Sequence, residues 1–572
     1  MSGQQTLAGY DMVLTLSQNT INYQFQQLHK LNIIHKKWSV LAGNTTTGDK
    51  KPFHISNEDK NFTTKLNRWI SLQEEINQAK TTNNWTLVGE LVKKVEEEGV
   101  NFNFGWDANL EAPIVHIKEK ESQSLLLEIR FKSGKLYYRP EAIAAVTEYE
   151  LKNIVYAFTV PIGQLKINKN AMILDAGEKV SEIIRNSGLT EQDFTIESLF
   201  LNFENANIST FDKARSTLPQ QAAEAFQIAV ENYFNLTLKN SDNPYVLGYG
   251  VHRKKIKETE KAMFQPSSLG FSTSYSSHQK KQGMFSGLNF LMMLNDTKPP
   301  NSSTSGILPQ SLLELEKDLT STIDGVFAIQ KEHFNSYVYF LDTYVQETFA
   351  GLDNMEITNG FSDGKMTAQK NETRGDDTIR SVYTITRERI KEDETESSIT
   401  VRYKIEISID VKIYAWFLKV GEKTLSTSGQ YTKDKINQKG APGYLDFTIK
   451  AGKTGRFDLD HTLTKPRVAF NENPDLFGNG FLQDLLKILT LILAWIVVVI
   501  EGIINQIAVD LGKESVTRNN ELINKLNAID VLNQTNKIIL PLGKVYTFKN
   551  LRLLSDKDIV AYDVAYAPVV EK

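Results

Sequence analysis

Residues that could carry catalysis or hold a metal stand far apart in this sequence of 572 residues. The eight histidines show no metal-ligand spacing, and His29 and His35 are neighbours only along the chain. Cysteine is absent, which excludes disulfides, thiolate zinc sites, iron–sulfur clusters and a cysteine nucleophile. We therefore expect neither a metal nor a cofactor.

Two short motifs approach catalytic patterns without completing them. Gly452-Lys453-Thr454 resembles the end of a phosphate-binding loop, but Phe447 stands where the first glycine of that loop belongs. Ser272 lies in a Gly-Phe-Ser-Thr-Ser run that lacks the second glycine of a nucleophile elbow. The charged run 387–396 mixes both signs, which favours a solvated hairpin over a binding patch. We therefore predict that the protein is not an enzyme, although carboxylates paired from distant strands would leave no local motif.

Composition and charge narrow the class of protein further. The length corresponds to about two to four domains, and 41% hydrophobic with 23% charged residues is ordinary for a globular protein. Lys plus Arg number 65 against 69 Asp plus Glu, so the net charge of −4 provides no basic field for a polyanion. Nucleic acid is therefore not an expected partner. Residues 1–7 lack the basic and apolar regions of a secretory signal, so we do not expect export by that route.

The N-terminal part alternates strands and helices, which predicts an α+β fold. Alternation over Tyr10–Leu16 predicts a strand, and Ser17 is an N-cap for a helix that follows directly. The later patterns predict, in order, helix Phe62–Gln78, helix Trp85–Glu98, strand Ser124–Phe131, strand Ile154–Ile167, strand Leu199–Ile208 and helix Leu218–Phe234.

The residue composition and the spacing of apolar residues change near residue 300. Residues Pro266–Gly306 are rich in Ser, Gly, Asn and Pro, which predicts a linker and a domain boundary there. Apolar residues then keep near-helical spacing from Leu312 to Val345 and predict one amphipathic helix of about nine turns. Strict alternation over Ile399–Val411 predicts a strand of thirteen residues, roughly 43 Å long, with one buried face. The segment Ile538–Ala567 is again strand-like.

The most apolar segment, Phe481–Leu511, predicts a helix that is buried in the protein. Its charge-free core has thirteen residues, whereas a bilayer span needs about 20. On a helical wheel Lys487, Thr490 and Glu501 fall opposite a single apolar stripe. The stripe consists of Leu485, Leu489, Ile492, Ile496, Val499, Ile503 and Ile507.

Several short motifs, taken in their order along the chain, carry a resemblance to a known family. They are Gly9-Tyr10-Asp11-Met12-Val13, Leu199-Phe200-Leu201-Asn202-Phe203, Tyr245-Val246-Leu247-Gly248-Tyr249, Gly287-Leu288-Asn289-Phe290-Leu291-Met292-Met293 and Leu540-Pro541-Leu542-Gly543-Lys544. With these motifs the sequence resembles the bacterial tubular lipid-binding (TULIP) proteins. More narrowly, it is similar to the forty-seven-kilodalton and OrfX proteins encoded beside botulinum neurotoxins and related insecticidal toxins.

The resemblance implies a fold, a location and a class of ligand. The implied α+β fold has two TULIP-like tubular modules, 1–300 and 301–572, each a long, highly curved antiparallel sheet wrapped around long amphipathic helices. The terminal strands could be exchanged between the modules. A hydrophobic tube between sheet and helix would bind lipid or another apolar molecule, without catalysis and in association with a toxin system. A bacterial protein of this kind without a signal would stay in the cytoplasm until release, or leave by a non-classical route.

Three interpretations of the apolar rows remain open at this point. In the first, the 485–507 stripe and the inward row of the long strand enclose an acyl chain; that row includes Val401, Tyr403, Ile405, Ile407 and Ile409. In the second, the same residues fill an ordinary core, because core and tube need identical residue types. In the third, the protein is a membrane-inserting or pore-forming toxin subunit that uses the 481–511 helix, at a cost of at least about 2.5 kcal/mol for each mid-bilayer charge. The corresponding partners are lipid, a membrane surface and other toxin-complex proteins.

Overall fold

The computed structural model of the chain describes most of the protein up to residue 464 and a terminal segment. The described ranges are 6–44, 52–55, 61–167, 194–253, 266–315, 323–464 and 538–566, with gaps inside them at 142, 209, 220–221, 238–244, 279–281, 295–296, 301–305, 352–353, 375–376, 389, 394–397, 413–417, 421–422, 426–441, 452–456 and 540–545. The predicted 481–511 helix, with its stripe, and the Gly452-Lys453-Thr454 motif lie outside the described residues.

The described residues form six α-helices and 25 strands. The helices are α1 Gln18–Lys30, α2 Phe62–Thr81, α3 Trp85–Glu97, α4 Ala223–Thr237, α5 Gln282–Phe285 and α6 Lys331–Ala350. The strands up to residue 300 are β1 Met12–Ser17, β2 Lys37–Asn44, β3 Pro52–Ile55, β4 Phe104–Leu110, β5 Ile114–His116, β6 Ser124–Tyr138, β7 Thr147–Glu150, β8 Ile154–Ile167, β9 Phe194–Leu201, β10 Val246–Arg253, β11 Pro266–Ser274 and β12 Gly287–Leu294. The remaining strands are β13 Gly325–Gln330, β14 Met355–Ser362, β15 Lys365–Arg374, β16 Asp377–Arg387, β17 Lys391–Asp393, β18 Ser398–Lys412, β19 Leu418–Val420, β20 Lys423–Leu425, β21 Gly443–Ala451, β22 Phe457–Thr464, β23 Ile538–Ile539, β24 Tyr546–Leu554 and β25 Ile559–Tyr566.

Three large antiparallel sheets organise these elements. A ten-stranded sheet runs β23-β10-β9-β8-β6-β4-β2-β3, with β5 and β7 paired to β6. A seven-stranded sheet runs β14-β15-β16-β18-β21-β22, with β17 paired to β18. A six-stranded sheet runs β11-β12-β1-β13-β25-β24. The fold is therefore mixed helix and strand, and its antiparallel sheet is strongly curled, as in a half-barrel.

The six-stranded sheet is buried on both faces. Met12, Leu14 and Leu16 point into one apolar cluster that continues into the other two sheets. Val13, on the opposite face, belongs to a second cluster with Leu312 and other residues that cover the sheet from that side. The sheet also joins strands from both sides of residue 300, since β1 pairs with β12 on one edge and with β13 on the other.

Two strand–helix units meet at the centre of this sheet. In each unit a six-residue strand buried on both faces runs directly into a helix: β1 into α1, and β13 into α6. The two strands are antiparallel neighbours, with Met12 opposite Ile329, so the helices leave from opposite ends of the sheet. The Ser17 hydroxyl accepts a hydrogen bond from the Thr20 amide at 3.1 Å, which confirms the predicted N-cap of α1.

Helix α1 is fastened to the ten-stranded sheet by side-chain amides. Asn22 forms two hydrogen bonds with the backbone of Val115, accepting from its N–H at 2.7 Å and donating to its carbonyl at 3.0 Å. Gln18 accepts from the Ile117 amide at 2.7 Å, and Gln24 donates to the Val246 carbonyl at 2.9 Å. These neutral groups satisfy strand backbone that would otherwise be buried without a partner.

The ten-stranded sheet encloses a close-packed aromatic core. Trp38 and Trp106 are buried and stack with ring centroids 5.7 Å apart. Phe226 and Phe234 of α4 pack on these two rings, at 6.4 Å from Trp106 and 5.8 Å from Trp38. Large rings in such edge and stacked contacts fill the space between helix and sheet.

The predicted nine-turn helix over Leu312–Val345 is wrong. Leu312–Leu315 is a short 3-10 turn, Gly325–Gln330 is strand β13, and the helix starts only at Lys331. A strand buried on both faces carries apolar residues at every position, so its apolar residues also match helical spacing.

The predicted linker and two predicted strands also differ from the structure. Two strands of the six-stranded sheet, β11 and β12, fall within Pro266–Gly306, and β12 is buried along its whole length. Within Pro266–Leu294, small polar residues such as Ser272 and Asn289 are buried in the sheet instead of forming a connection. Residues 301–305, where the predicted linker continues, lie outside the described residues. Strand β9 ends at Leu201, where a 3-10 turn follows, whereas alternation predicted a strand to Ile208. Strand β6 extends to Tyr138, seven residues beyond the predicted Phe131. The domain boundary near residue 300 stays a prediction.

Candidate functional site

One wall of a cleft is formed by helix α6. Asn335, Val338 and Tyr339 follow each other at helical spacing and line the cleft. Tyr339 is 59% exposed, although it is a large aromatic residue. Gln346, two turns further along, accepts a hydrogen bond from the Phe361 amide at 2.7 Å and holds the helix against β14.

The opposite wall is formed by two strand ends of the seven-stranded sheet. Asp363 and Gly364 form the turn between β14 and β15, both with left-handed backbone at φ 51° and 76°. The Arg387 amide at the end of β16 donates to the Gly364 carbonyl at 2.6 Å. Glu388 and Ile390 complete the wall. The backbone bond between the strand ends fixes their side chains at the mouth of the cleft.

A buried group of three polar side chains lies beneath this mouth. Asp342 of α6 accepts a hydrogen bond from the Tyr403 hydroxyl at 2.8 Å and pairs with Arg387 at 2.5 Å. The Asp342 side chain is 7% exposed and that of Arg387 is 17% exposed. Burial raises the pKa of the Asp342 carboxyl, and the hydrogen bonds from Tyr403 and Arg387 offset part of that rise.

The cleft between these walls has a volume of about 310 Å³. This lies at the lower end of the range for small-molecule sites, roughly 300 to 1,000 Å³. The Arg387 guanidinium lies over the Tyr339 ring at 5.0 Å from its centroid, so cation and ring are held together. Asp363 and Glu388 add two carboxylates, while Val338 and Ile390 add an apolar surface. Such a site can hold a charged or polar group and an apolar segment at the same time.

The sequence-predicted site residues are only partly described. Val401, Tyr403 and Ile405 are buried in β18, as the alternation indicated, and Tyr403 supplies the hydroxyl that binds Asp342. Ile407 and Ile409 lie in the same strand, opposite Tyr383 and Ser381 of β16. The role of all these residues in lining a tube stays a prediction.

The chain resembles a small group of solved structures over nearly its whole length. It is similar to the P47 protein of Clostridium botulinum E1, with 10% identity, coverage of 98% and 99% of the two chains, and a TM-score of 0.41. For P47 of Clostridium botulinum A2 the identity is 12%, the coverage 98% and 97%, and the TM-score 0.37. A lipopolysaccharide binding protein gives 8% identity, coverage of 98% and 100%, and a TM-score of 0.28.

The likeness to these solved structures has no counterpart at the level of sequence. No protein-family model matches the sequence, and no curated protein matches it. Since each TM-score is below 0.5, the superpositions assign neither a fold family nor a function to this chain.

Sequence reasoning missed the residues that make the cleft. Arg387 was predicted to lie in a solvated hairpin, but it ends β16 and pairs with the buried carboxylate of Asp342, so this prediction is wrong for Arg387. Asp342 was hidden inside the predicted nine-turn helix. The available signal was a carboxylate on the apolar face of α6, three residues before Val345 and one after Leu341, which are both buried.

Other candidate chemistry has a structural role where the structure describes it. Ser272 is buried in β11 and donates to the Gly306 carbonyl at 2.6 Å. Among the described residues, no three His, Asp or Glu side chains come together as a metal site. No helix of the described ranges is long and apolar enough to span a bilayer.

Proposed function

We propose that the chain is a non-catalytic protein that binds lipid or another amphiphilic ligand, in association with a bacterial toxin system. The observation that carries the proposal is the cleft of about 310 Å³ on α6, where charged groups of both signs meet an apolar wall. The association with toxins follows from the resemblance of the sequence motifs and is part of the proposal.

The charges of the cleft favour a zwitterionic polar group. Arg387 is the cation in its lining, and it is already paired with Asp342, while Asp363 and Glu388 add two further negative charges. A ligand with only an anionic group would meet repulsion from these carboxylates. A cationic group can bind beside Asp363 and Glu388 while an anionic group receives N–H donors from Arg387.

The apolar part of the ligand would lie along the predicted tube. We place it between the inward row of β18 and the 485–507 stripe, as in the first of the three interpretations above. Ile496→Trp should then reduce ligand uptake without unfolding the protein, because the indole occupies space that the ligand would use. In an ordinary core the same substitution strains its neighbours by about 1 to 3 kcal/mol, and a large fall in melting temperature without any uptake by the parent would favour core filling.

The polar end of the site is tested with two soluble fluorescent probes, a lysophosphatidylcholine and a fatty acid, each below its micelle concentration. The double variant Asp363→Asn/Glu388→Gln should weaken binding of the zwitterionic probe by about fivefold or more. The same variant should leave fatty-acid binding unchanged or strengthen it, because two repelling charges are gone. Glu347→Gln, on an exposed position of α6 outside the cleft, is the matched control.

Two results would overturn this proposal. One is a parent protein that binds neither probe. The other is a double variant that loses affinity for both probes equally, which would show that the carboxylates do not recognise the cationic group.

A further inference from the structure

The segment between α1 and β2 exposes apolar side chains at a fixed position. Leu31 is 52% exposed and Ile33 is 41% exposed, while Ile34 between them and β2 is buried. Exposed large apolar side chains are common one at a time, but two within three residues form a small patch. We call residues His29–Lys37 the basic loop.

Hydrogen bonds hold the basic loop in one conformation. Asn32 has left-handed backbone at φ 61°, and the amides of Ile33 and Ile34 both donate to the Leu28 carbonyl, at 2.9 and 3.3 Å. The Asn32 side chain accepts from the Lys36 amide at 3.1 Å. Together with the buried Ile34, these bonds direct Leu31 and Ile33 outward, so the patch is preformed.

The basic loop carries positive charge in an acidic protein. Its nine residues include Lys30, Lys36, Lys37 and two histidines but no Asp or Glu, whereas the whole chain has a net charge of −4. Burial lowers the pKa of His29, and its ring nitrogen is bound to the Leu110 carbonyl, so His29 adds no positive charge at neutral pH.

Acidic residues that face the basic loop already have partners. Asp107 pairs with Lys37 at 2.8 Å, and Glu111 pairs with Arg130 at 3.2 Å. Since Lys37 is paired with Asp107, the excess positive charge at this end of the ten-stranded sheet comes from the exposed Lys30 and Lys36. Apolar side chains framed by lysines complement a surface that is anionic outside and apolar within.

A second exposed apolar pair has no such excess of lysines beside it. Trp85 is 57% exposed and Leu87 is 38% exposed, at the start of α3. The charged residues within five positions of this pair are Lys80 and Glu90, which balance each other. Apolar exposure alone thus does not distinguish the two pairs, but charge does.

We propose that the basic loop docks the protein on the surface of an anionic lipid bilayer. Leu31 and Ile33 enter the headgroup region, and Lys30 and Lys36 lie against the lipid phosphates. Each lysine near such a surface contributes about fivefold in affinity at moderate salt. Docking concerns a different sheet from the α6 cleft, so it can hold or fail independently of ligand binding there.

The proposal is tested by co-sedimentation with vesicles of phosphatidylcholine alone and of phosphatidylcholine with about a third phosphatidylserine. The parent should bind the anionic vesicles and release them at high salt. Lys30→Gln/Lys36→Gln should weaken binding by about 25-fold, and Leu31→Ser/Ile33→Ser by at least about tenfold. Trp85→Ser/Leu87→Ser is the matched control and should bind as the parent does. Circular dichroism and melting curves show whether each variant keeps its fold.

Four results would overturn the proposal. Parent protein that binds neither kind of vesicle would exclude docking, and equal binding to both kinds would exclude the role of charge. Equal losses in the basic-loop variants and in the Trp85/Leu87 variant would show that the surface is not specific. A parent that sediments only with an added acidic protein would replace the bilayer with a protein partner.

Discussion

The two strand–helix units of the central sheet begin alike and differ in how their helices are fastened. Helix α1 holds the ten-stranded sheet with the neutral amides of Gln18, Asn22 and Gln24. Helix α6 contacts the seven-stranded sheet through one amide, Gln346, and one buried carboxylate, Asp342. At its first turn, His333 also pairs with Asp11 at 2.9 Å. A neutral amide pairs with backbone without any change of charge, whereas a buried carboxylate requires a cation and a donor.

This difference in how the two helices are held explains where a ligand-binding site can form. Beneath α4, in the half of the fold that α1 joins, the space is filled by stacked rings such as Trp38 and Trp106. Beneath α6, the buried Asp342 requires a cation, which is Arg387. The Arg387 side chain reaches the cleft, where it contacts the Tyr339 ring. One half therefore gains stability from close packing, and the other keeps polar groups near solvent.

The largest expected effect tests the close-packed half. Trp106→Ala removes a fully buried ring between Trp38, Phe131 and Phe226 and should lower the free energy of unfolding by about 3 to 5 kcal/mol. Urea unfolding followed by fluorescence measures the loss. Trp85→Ala, at an exposed position, should stay within about 0.5 kcal/mol of the parent. Similar losses in both variants would mean that the rings are not close-packed.

The next effect tests the ion pair between Asp342 of α6 and Arg387. Arg387→Met removes the cation that offsets the burial of Asp342 and should cost about 2 to 3 kcal/mol at pH 7. Burial already raises the pKa of Asp342 above 3.8, and without Arg387 this pKa should rise further. A folded carboxyl with a raised pKa contributes stability at low pH, and that stability is lost as the pH rises through the folded pKa.

The deficit of Arg387→Met should therefore shrink as the pH falls from 7 toward about 4.5. Urea midpoints of parent and variant at both pH values measure this change. Adding Asp342→Asn to the variant should restore much of the stability at pH 7, since no buried charge is then left alone. A stability deficit of Arg387→Met that is the same at both pH values would contradict the role of Arg387 in stabilising a buried Asp342 carboxylate.

A smaller effect tests the neutral hydrogen bonds that hold α1 against the ten-stranded sheet. Asn22→Ala leaves the N–H and carbonyl of the buried Val115 without their side-chain partner and should cost about 2 kcal/mol. Because no ionisable group is involved, this loss should be the same at pH 7 and pH 4.5. Comparing the stability loss of Asn22→Ala at the two pH values with that of Arg387→Met distinguishes the neutral hydrogen bonds of α1 from the ion pair of α6. A pH-dependent loss for Asn22→Ala would remove that distinction.

The smallest effect concerns the start of α1. Ser17→Ala removes the side-chain cap and should cost about 1 kcal/mol. Gln330, at the matching position before α6, makes no side-chain cap and donates instead to the Tyr10 carbonyl at 2.7 Å. Amide exchange of the first turn should therefore increase in Ser17→Ala around Thr20, and unchanged exchange there would show that the cap does not stabilise the helix.

Local signals predicted the first unit well and the second one poorly. Alternation that ended at a capping serine identified β1 and α1 within a residue or two. In the second unit β13 is buried on both faces and has no such cap, so strand and helix merged into one apparent helix. The mixed α and β class did not depend on that boundary.

The cleft could not be predicted because its parts are distant in sequence and ordinary by type. Arg387 follows its partner Asp342 by 45 residues, and neither residue belongs to a motif. Tyr403 was predicted to be buried, correctly, but the alternation of β18 contains no information on what its hydroxyl would bind. Only the packing of α6 on the sheet brings the three together.

The position of β1 at the centre of the six-stranded sheet bears on how a ribosome can make this protein. Ser17 pairs with Gly287, 270 residues later, and the other neighbour, β13, starts at Gly325. At about 5 to 20 residues per second, synthesis takes roughly 15 to 55 s to supply the first of these partners. Throughout that interval the nascent chain carries an apolar strand with both hydrogen-bonding edges open, a target for holdase chaperones and for neighbouring chains on the same polysome.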